Sequence, residues 1–150
     1  MATPKAWHRE AADLPATPGA YAVLIQLDRA ADIAPRWSTE VLPAGRYCYL
    51  GSARGPGGIR ARCRRHLAGA PSRHWHIDWL TSQAKQIDVL PLPDRHECDL
   101  VSALVARPGV SVPLARFGSS DCQRCSAHLL SVQEITPGSL TRWLTSNRTS

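Results

Sequence analysis

A short basic segment is the part of the chain whose residue types most directly suggest chemistry. Residues 60–66 read Arg-Ala-Arg-Cys-Arg-Arg-His, and no acidic residue occurs from position 55 to position 77. On a helix, Arg62 and His66 share one face and Arg60 and Arg64 share a neighbouring face. Arginines this close repel one another unless an anion lies nearby, and a guanidinium suits phosphate. We therefore expect this segment to contact phosphate. The alternative is that the arginines form a solvated basic face.

The composition fits one globular domain with an anionic partner. The 150 residues include 18 Lys+Arg and 12 Asp+Glu, which gives a net charge of +6, and 43% of them are hydrophobic. This length is typical of one domain with an ordinary core. Sixteen of the basic residues are arginine, which a GC-rich genome also favours. The sequence has no apolar run of about 20 residues and no secretory signal, so we expect a cytoplasmic protein without membrane contact.

Apolar patterns and turn residues predict the elements that must position the basic segment. Strands are expected at 19–27, 46–51, 86–92 and 128–135, and helices at 59–67, from an N-cap at Asp94 to about 106, and around 140–144. The segment 75–80 fits either a helix or a strand. Strands and helices do not alternate regularly, so the predicted fold class is α+β. Residues 1–18 contain three prolines and are expected to be poorly ordered, whereas 19–150 form one domain.

Two tyrosines lie on the predicted strands that precede the basic helix. Tyr21 follows Gly19 in a Gly-Ala-Tyr sequence, and Tyr49 begins the sequence Tyr-Leu-Gly. Either tyrosine alone is more often a core residue than a catalytic one. Together with the glycine-rich turn at 52–58 and a helix that contains Arg62 and His66, the order resembles the GIY-YIG nuclease superfamily.

Further segments are similar to one branch of that superfamily. They are Gly51-Ser-Ala, Arg65-His66, His74-Trp-His-Ile-Asp-Trp79, Glu97-Cys-Asp-Leu and Phe117-Gly-Ser-Ser-Asp-Cys. The branch is described as a domain of unknown function, and some members are joined to endonuclease III-type glycosylases. The resemblance implies a small central antiparallel sheet flanked by helices. It also implies metal-dependent hydrolysis of DNA phosphodiester bonds in repair, with damaged, abasic or branched duplexes as substrates and a functional link to a base-excision glycosylase.

The resemblance assigns five catalytic residues by position. Tyr21 and Tyr49 match the tyrosines of the two strands, Arg62 the helical arginine, His66 the residue one turn later and Glu97 the metal-binding carboxylate. It implies one Mg²⁺ or Mn²⁺ ion at Glu97 and a scissile phosphate at Arg62. Tyr49, assisted by Tyr21 or His66, is expected to take the proton of the attacking water. A tyrosine pKa of about 10 must then be lowered by neighbouring cations.

Further residues are candidates for substrate binding. Arg60 and Arg65 lie on the basic helix, and Arg54 could replace a basic residue that many relatives have after the second tyrosine motif. The sequence also departs from the superfamily by an insertion at 28–45, expected to be a hairpin or loop, and by having no asparagine after Glu97 until Asn147.

Ser119, Ser120 or Asp121 could take the role that an asparagine after the glutamate has in many relatives. His74, His76 and Asp78 would share one face of a strand, where they could bind a metal ion or a phosphate, or simply pack and hydrogen-bond locally. We expect them to shape the substrate pocket.

The five cysteines are odd in number and do not suggest a disulfide framework. Cys122-x-x-Cys125-x-x-His128 resembles half of a zinc site, with Cys98 or His76 as a further ligand, but a second pair at suitable spacing is missing. Zinc is therefore disfavoured. The alternative to an enzyme is a catalytically silent nucleic-acid-binding module on a nuclease fold, with or without zinc.

Overall fold

The computed structural model describes residues 6–32, 41–69, 77–113 and 128–145 and has a four-stranded antiparallel sheet at its centre. The strands of this sheet are β1 (Gly19–Leu27), β4 (Gly45–Ala53), β5 (Gln86–Leu92) and β6 (Leu129–Ser131), in the order β5-β1-β4-β6. A second, two-stranded sheet pairs β2 (Ala31–Asp32) with β3 (Val41–Leu42). The helices are α1 (Gly58–Leu67), α2 (Asp78–Thr81), α3 (Glu97–Val105) and α4 (Pro137–Leu144).

Each face of the central sheet packs against a different pair of helices. Even-numbered residues 20–24 of β1 join one apolar core with α3 and α4, and odd-numbered residues 21–27 join a second core with α1 and α2. Successive side chains of a strand point to opposite faces, so β1 is apolar on both. The predicted α+β class and central antiparallel sheet flanked by helices are confirmed.

The register of β1 and β4 places the two tyrosines on the same face. Tyr21 pairs with Gly51, and Val23 pairs with Tyr49, so the tyrosines are diagonal neighbours. Gly51 leaves room for the Tyr21 ring, because a Cβ atom at Gly51 would lie 2.6 Å from the Tyr21 hydroxyl oxygen. The glycine of the Tyr-Leu-Gly sequence is therefore required by the position of the tyrosine on the neighbouring strand.

The N-terminal segment differs from the expectation of poor order at residues 1–18. Within residues 6–18, Trp7 and Leu14 are buried, one in each of the two cores. The backbone of His8 pairs with Val89 at the edge of β5, and the Trp7 indole nitrogen donates a hydrogen bond of 2.7 Å to the Thr141 hydroxyl. Two isolated apolar residues among prolines give no periodic signal, which is why the sequence pattern did not predict this packing.

Several element boundaries also differ from the sequence predictions. The helix predicted from Asp94 begins instead at Glu97, because His96 is the N-cap and its ring accepts a hydrogen bond from the Cys98 N–H. The last strand is only Leu129–Ser131, shorter than the predicted 128–135. The predicted insertion at 28–45 contains the paired strands β2 and β3. Among the described ranges, no helix has the length and apolar character needed to cross a membrane.

Candidate active site

The centre of the candidate site is a hydrogen bond between β1 and α1. The Tyr21 hydroxyl lies 2.9 Å from His66 Nε2, and both side chains are buried. The Tyr49 ring meets the His66 ring edge-on, with ring centroids 6.1 Å apart. Ile59, Cys63 and His66 recur at helical spacing and form the buried stripe of α1. This stripe directs the imidazole onto the two tyrosines.

Arg62 lies at the rim of this cluster, where the buried stripe of α1 meets solvent. Its Nη1 donates a hydrogen bond of 3.2 Å to the Ser52 carbonyl oxygen, which ties α1 to the end of β4. The Arg62 charge opposes the rise in the pKa of Tyr21 and Tyr49, so the guanidinium acts electrostatically on both phenols. The structure therefore brings Tyr21, Tyr49, Arg62 and His66 together.

The protonation states of the cluster follow from its burial. Burial raises the pKa of Tyr49 to about 12 and that of Tyr21 well above its usual value, and Arg62 offsets only part of the effect. Burial also lowers the pKa of His66 to about 4. At neutral pH both phenols keep their protons and the imidazole is neutral. Arg62 alone therefore does not bring the Tyr49 pKa below its usual value, because desolvation exceeds the effect of Arg62.

Glu97 is the carboxylate that could hold a metal ion near this cluster. Its negative charge raises the pKa of Tyr49, so it acts on the same phenol as Arg62. Its side chain is 19% exposed, and Oε2 is buried without a hydrogen-bond partner in the described part of the chain. A buried carboxylate oxygen of this kind is costly unless it meets a cation or a donor. The residue therefore fits a divalent cation that prefers oxygen ligands.

The neighbours of Glu97 add other possible ligand atoms. His96, Glu97 and Cys98 each have one ligand atom within 4.8 Å of the others. His96 Nδ1, however, already accepts the N-cap hydrogen bond from the Cys98 backbone and lies 3.9 Å from Glu97 Oε2. Glu97 is thus the residue of this group that best suits Mg²⁺ or Mn²⁺.

A pocket opens beside the cluster, between α1 and the turn that follows β4. Its volume is about 230 Å³, and its lining consists of Ala53, Gly55, Pro56, Gly58, Ala61, Arg62 and Arg65. Arg65 Nη2 donates a hydrogen bond of 2.7 Å to Asp78 Oδ2, and the Asp78 side chain is fully buried. Asp78 was predicted to bind substrate on a strand. It begins α2 instead and contacts Arg65, so it acts on the pocket through that arginine.

The remaining predicted substrate-binding residues separate into three groups. Arg54 is exposed in the turn and does not line the pocket. Arg60 bends away, since its Nε donates a hydrogen bond to the Leu14 carbonyl oxygen at 2.8 Å. His74, His76, Ser120 and Asp121 lie outside the described residues, as do Ser119, Cys122 and Cys125.

Two contributors to the site were missed by the sequence reasoning. Cys63 is buried beside both tyrosines, and burial raises the pKa of its thiol, which keeps it neutral. Its helical spacing from Ile59 and His66 was a signal that could have identified it. The Ser52 carbonyl, which binds Arg62, had no sequence signal because backbone groups are the same at every position.

Comparison with known proteins gives one match. Neither a curated protein nor a solved structure matches the chain significantly. A family model described as a domain of unknown function matches residues 20–145, a range that includes Tyr21, Tyr49, Arg62, His66 and Glu97. The chain therefore belongs to the family described as "Domain of unknown function DUF123".

Proposed function

We propose that the protein is a metal-dependent DNA endonuclease of the GIY-YIG type, which hydrolyses phosphodiester bonds during DNA repair. The observation that supports this proposal is the cluster of two phenols, one neutral imidazole and one arginine, linked by the 2.9 Å contact between Tyr21 and His66. Arg62, at the rim of this cluster, supplies the fixed cation that a phosphate-cleaving site requires.

Arg62 is the residue that binds the scissile phosphate in this proposal. Its hydrogen bond to the Ser52 carbonyl limits the motion of the guanidinium at the rim of the cluster. A fixed guanidinium stabilises the charge that develops on the phosphate oxygens in the transition state without reorganising during the reaction. It also favours the deprotonated form of Tyr49.

Tyr49 is the group that orients the attacking water and accepts its proton. The raised pKa of Tyr49 means that the phenol is protonated in the resting protein at neutral pH. Tyr49 must therefore lose its own proton to solvent before it can take the proton of the attacking water, and the Arg62 charge favours that loss. Neutral His66 packs against Tyr49 and lies 2.9 Å from the Tyr21 hydroxyl, so it can orient the two phenols, whereas its lowered pKa disfavours uptake of a proton by the imidazole.

Glu97 is the residue that would hold the divalent cation. When bound, such a cation would supply charge stabilisation at the phosphate and at the leaving oxygen. Hydrolysis is favoured over lyase chemistry because a lyase needs an amine nucleophile. The chain has two lysines, Lys5 and Lys85, and neither belongs to the motifs of the site. Damaged or abasic duplex DNA is the proposed substrate, by analogy with relatives joined to glycosylases.

A cleavage assay tests the proposal. Duplexes that contain an abasic site, a nick, a flap or no lesion are incubated with Mg²⁺, Mn²⁺ or EDTA. We expect strand scission with either metal and none with EDTA. Arg62→Ala and Glu97→Gln should each lower the cleavage rate by about a hundredfold or more, since removing one transition-state contact typically costs that much.

Matched variants separate the site from general charge effects. Arg64→Ala removes an exposed arginine from the same helix, and Asp99→Asn neutralises an exposed acid in the first turn of α3. Both should retain most of the cleavage activity. Salt-sensitive DNA binding without cleavage in any metal would instead identify the protein as a silent nucleic-acid-binding module. Cleavage that survives Arg62→Ala would overturn the proposed mechanism.

A further inference from the structure

The pocket beside the tyrosine cluster has the chemistry of a phosphate site. Its walls are small side chains of the turn after β4 and of α1, and its charged lining residues are Arg62 and Arg65; no acidic residue lines it in the part of the chain described. The volume of about 230 Å³ is below the range of roughly 300–1,000 Å³ that is typical for drug-sized ligands. A phosphate with part of its sugar is therefore a better fit than a whole nucleotide.

The positive charge of this pocket comes from side chains and not from the start of α1. The first helical N–H groups there already have partners, because Ile59 donates to the Thr17 carbonyl and Arg60 to the Pro15 carbonyl. Arg62 is already assigned to the reacting phosphate. Arg65, one helical turn away along the same side of α1, is the second cation that lines the pocket.

Arg65 is held in place by a buried acid. The Asp78 side chain is fully buried, that of Arg65 is 23% exposed, and their nearest atoms lie 2.7 Å apart. A guanidinium that is already fixed loses less conformational entropy when it binds a ligand. Asp78 thus gives Arg65 a defined orientation at the pocket, at the cost of burying a carboxylate.

We propose that this pocket binds a second backbone phosphate of the DNA strand, next to the phosphate held by Arg62. Arg65 is the contacting residue, and Asp78 is a positioning residue that acts through Arg65. The inference rests on the proposed function, since it takes the strand at Arg62 to be the substrate. Of the predicted substrate-binding residues, it gives Arg65 a contact with DNA and Asp78 a positioning role.

A binding experiment in EDTA tests this subsite without cleavage. A fluorescently labelled duplex with one abasic site is titrated with the wild type and with the double variant Arg65→Met/Asp78→Asn. The double variant removes both members of the ion pair and keeps the net charge, so neither an unpaired buried charge nor a change in overall charge affects the comparison. We expect its affinity to fall by about tenfold or more, as for loss of a charge-assisted hydrogen bond.

Single variants distinguish a positioning role of Asp78 from a general effect of charge, because the two predict opposite changes in DNA affinity. Asp78→Asn makes the protein more positive, so a purely electrostatic effect would tighten DNA binding, whereas a positioning role weakens it. Arg64→Ala, at an exposed position off the pocket, matches the charge change of Arg65→Ala and should weaken binding much less. Tighter binding by Asp78→Asn, or equal effects of the two arginine variants, would overturn the subsite.

A scan of the DNA backbone identifies the phosphate involved. Neutral methylphosphonates replace one phosphate at a time in the same duplex. One position should weaken wild-type binding about tenfold and have no effect on the double variant. If every position weakens the two proteins equally, the subsite is wrong. If the wild type cleaves DNA with Mg²⁺ but no phosphate position distinguishes it from the double variant, only the subsite is contradicted. If binding depends on Arg65 but no substrate is cleaved, only the endonuclease proposal is contradicted.

Discussion

His66 is a buried neutral base, and its burial links the stability of the protein to pH. Burial lowers its pKa to about 4 from the usual 6.5. Between these values the unfolded chain binds a proton that the native protein does not, so stability is lost as pH falls from about 6.5 to about 4. The difference amounts to roughly 3 kcal/mol. Urea unfolding of the wild type and of His66→Gln, measured at pH 7 and pH 4, checks this.

The comparison of the two proteins removes the contribution of other titrating groups. We expect the stability advantage of the wild type at pH 7 to shrink by roughly 3 kcal/mol at pH 4. A gap that is the same at both pH values would mean that His66 is not held neutral in the native protein. The same result would contradict the proposed role of His66 as a neutral group that orients the two phenols.

Gly51 determines where the Tyr21 ring can lie. A Cβ atom at this position would be 2.6 Å from both Cζ and the hydroxyl oxygen of Tyr21. Gly51→Ala should therefore displace the ring from His66 and lower the free energy of unfolding by about 1–3 kcal/mol, as overpacking does. Thermal unfolding and cleavage rates both report the change.

Gly55 provides the control for this substitution. No atom lies within 4 Å of a Cβ built at Gly55, which is exposed in the turn after β4. Gly55→Ala should change stability by less than about 0.5 kcal/mol. Equal effects of the two substitutions would show that general glycine flexibility, and not the Tyr21 contact, is what matters at Gly51.

At the scale of elements, the N-terminal segment supports the helix that contains Arg62 and His66. Leu14 is buried in the core beneath α1, and the Leu14 carbonyl accepts a hydrogen bond from Arg60. Leu14→Ala should cost about 2–5 kcal/mol, as for other buried leucines. Truncation of an exposed residue, Val105→Ala, should cost less than about 0.5 kcal/mol, since Val105 is 42% exposed. Denaturant unfolding measures both values.

The same segment shows which elements could be predicted from the sequence. β1, β5 and α1 were predicted within one residue of their observed ends, because long apolar runs and a glycine turn are local signals. The packing of Trp7 and Leu14 is set by residues far along the chain, which no local pattern contains. The start of α3 depends on a histidine N-cap, a residue type that ranks below the asparagine, aspartate and serine expected there.

The candidate site also has features that could be predicted from the sequence and features that could not. The register of β1 and β4 and the helical spacing of α1 bring Tyr21, Tyr49, Arg62 and His66 together as their order along the chain suggested. The raised pKa of Tyr49 was not predictable, because it depends on how deeply the whole fold buries the phenol. The role of Asp78 depends on α2, which the sequence left undecided between helix and strand.

At the scale of the whole molecule, the α1 side of the sheet contains the densest group of arginines in the described part of the chain. Four arginines lie within α1 and Arg54 lies in the preceding turn, and Glu97, in the first turn of α3, is close enough to Tyr49 to raise its pKa. A polyanion should therefore approach the α1 side, where it meets the tyrosine cluster. The net charge of +6 alone would not distinguish the two faces.

Two charge reversals test which face DNA occupies. Arg54→Glu changes an exposed residue beside α1, and Arg142→Glu changes an exposed residue of α4 on the opposite face. Both lower the net charge equally, so a nonspecific effect would be the same for the two variants. Loss of one phosphate contact reduces the slope of log K against log salt by about 0.9. We expect that reduction for Arg54→Glu and almost none for Arg142→Glu in DNA titrations between about 50 and 200 mM salt. The opposite ranking would place DNA at α4, away from the cluster, and would contradict the orientation on which the proposed catalytic site depends.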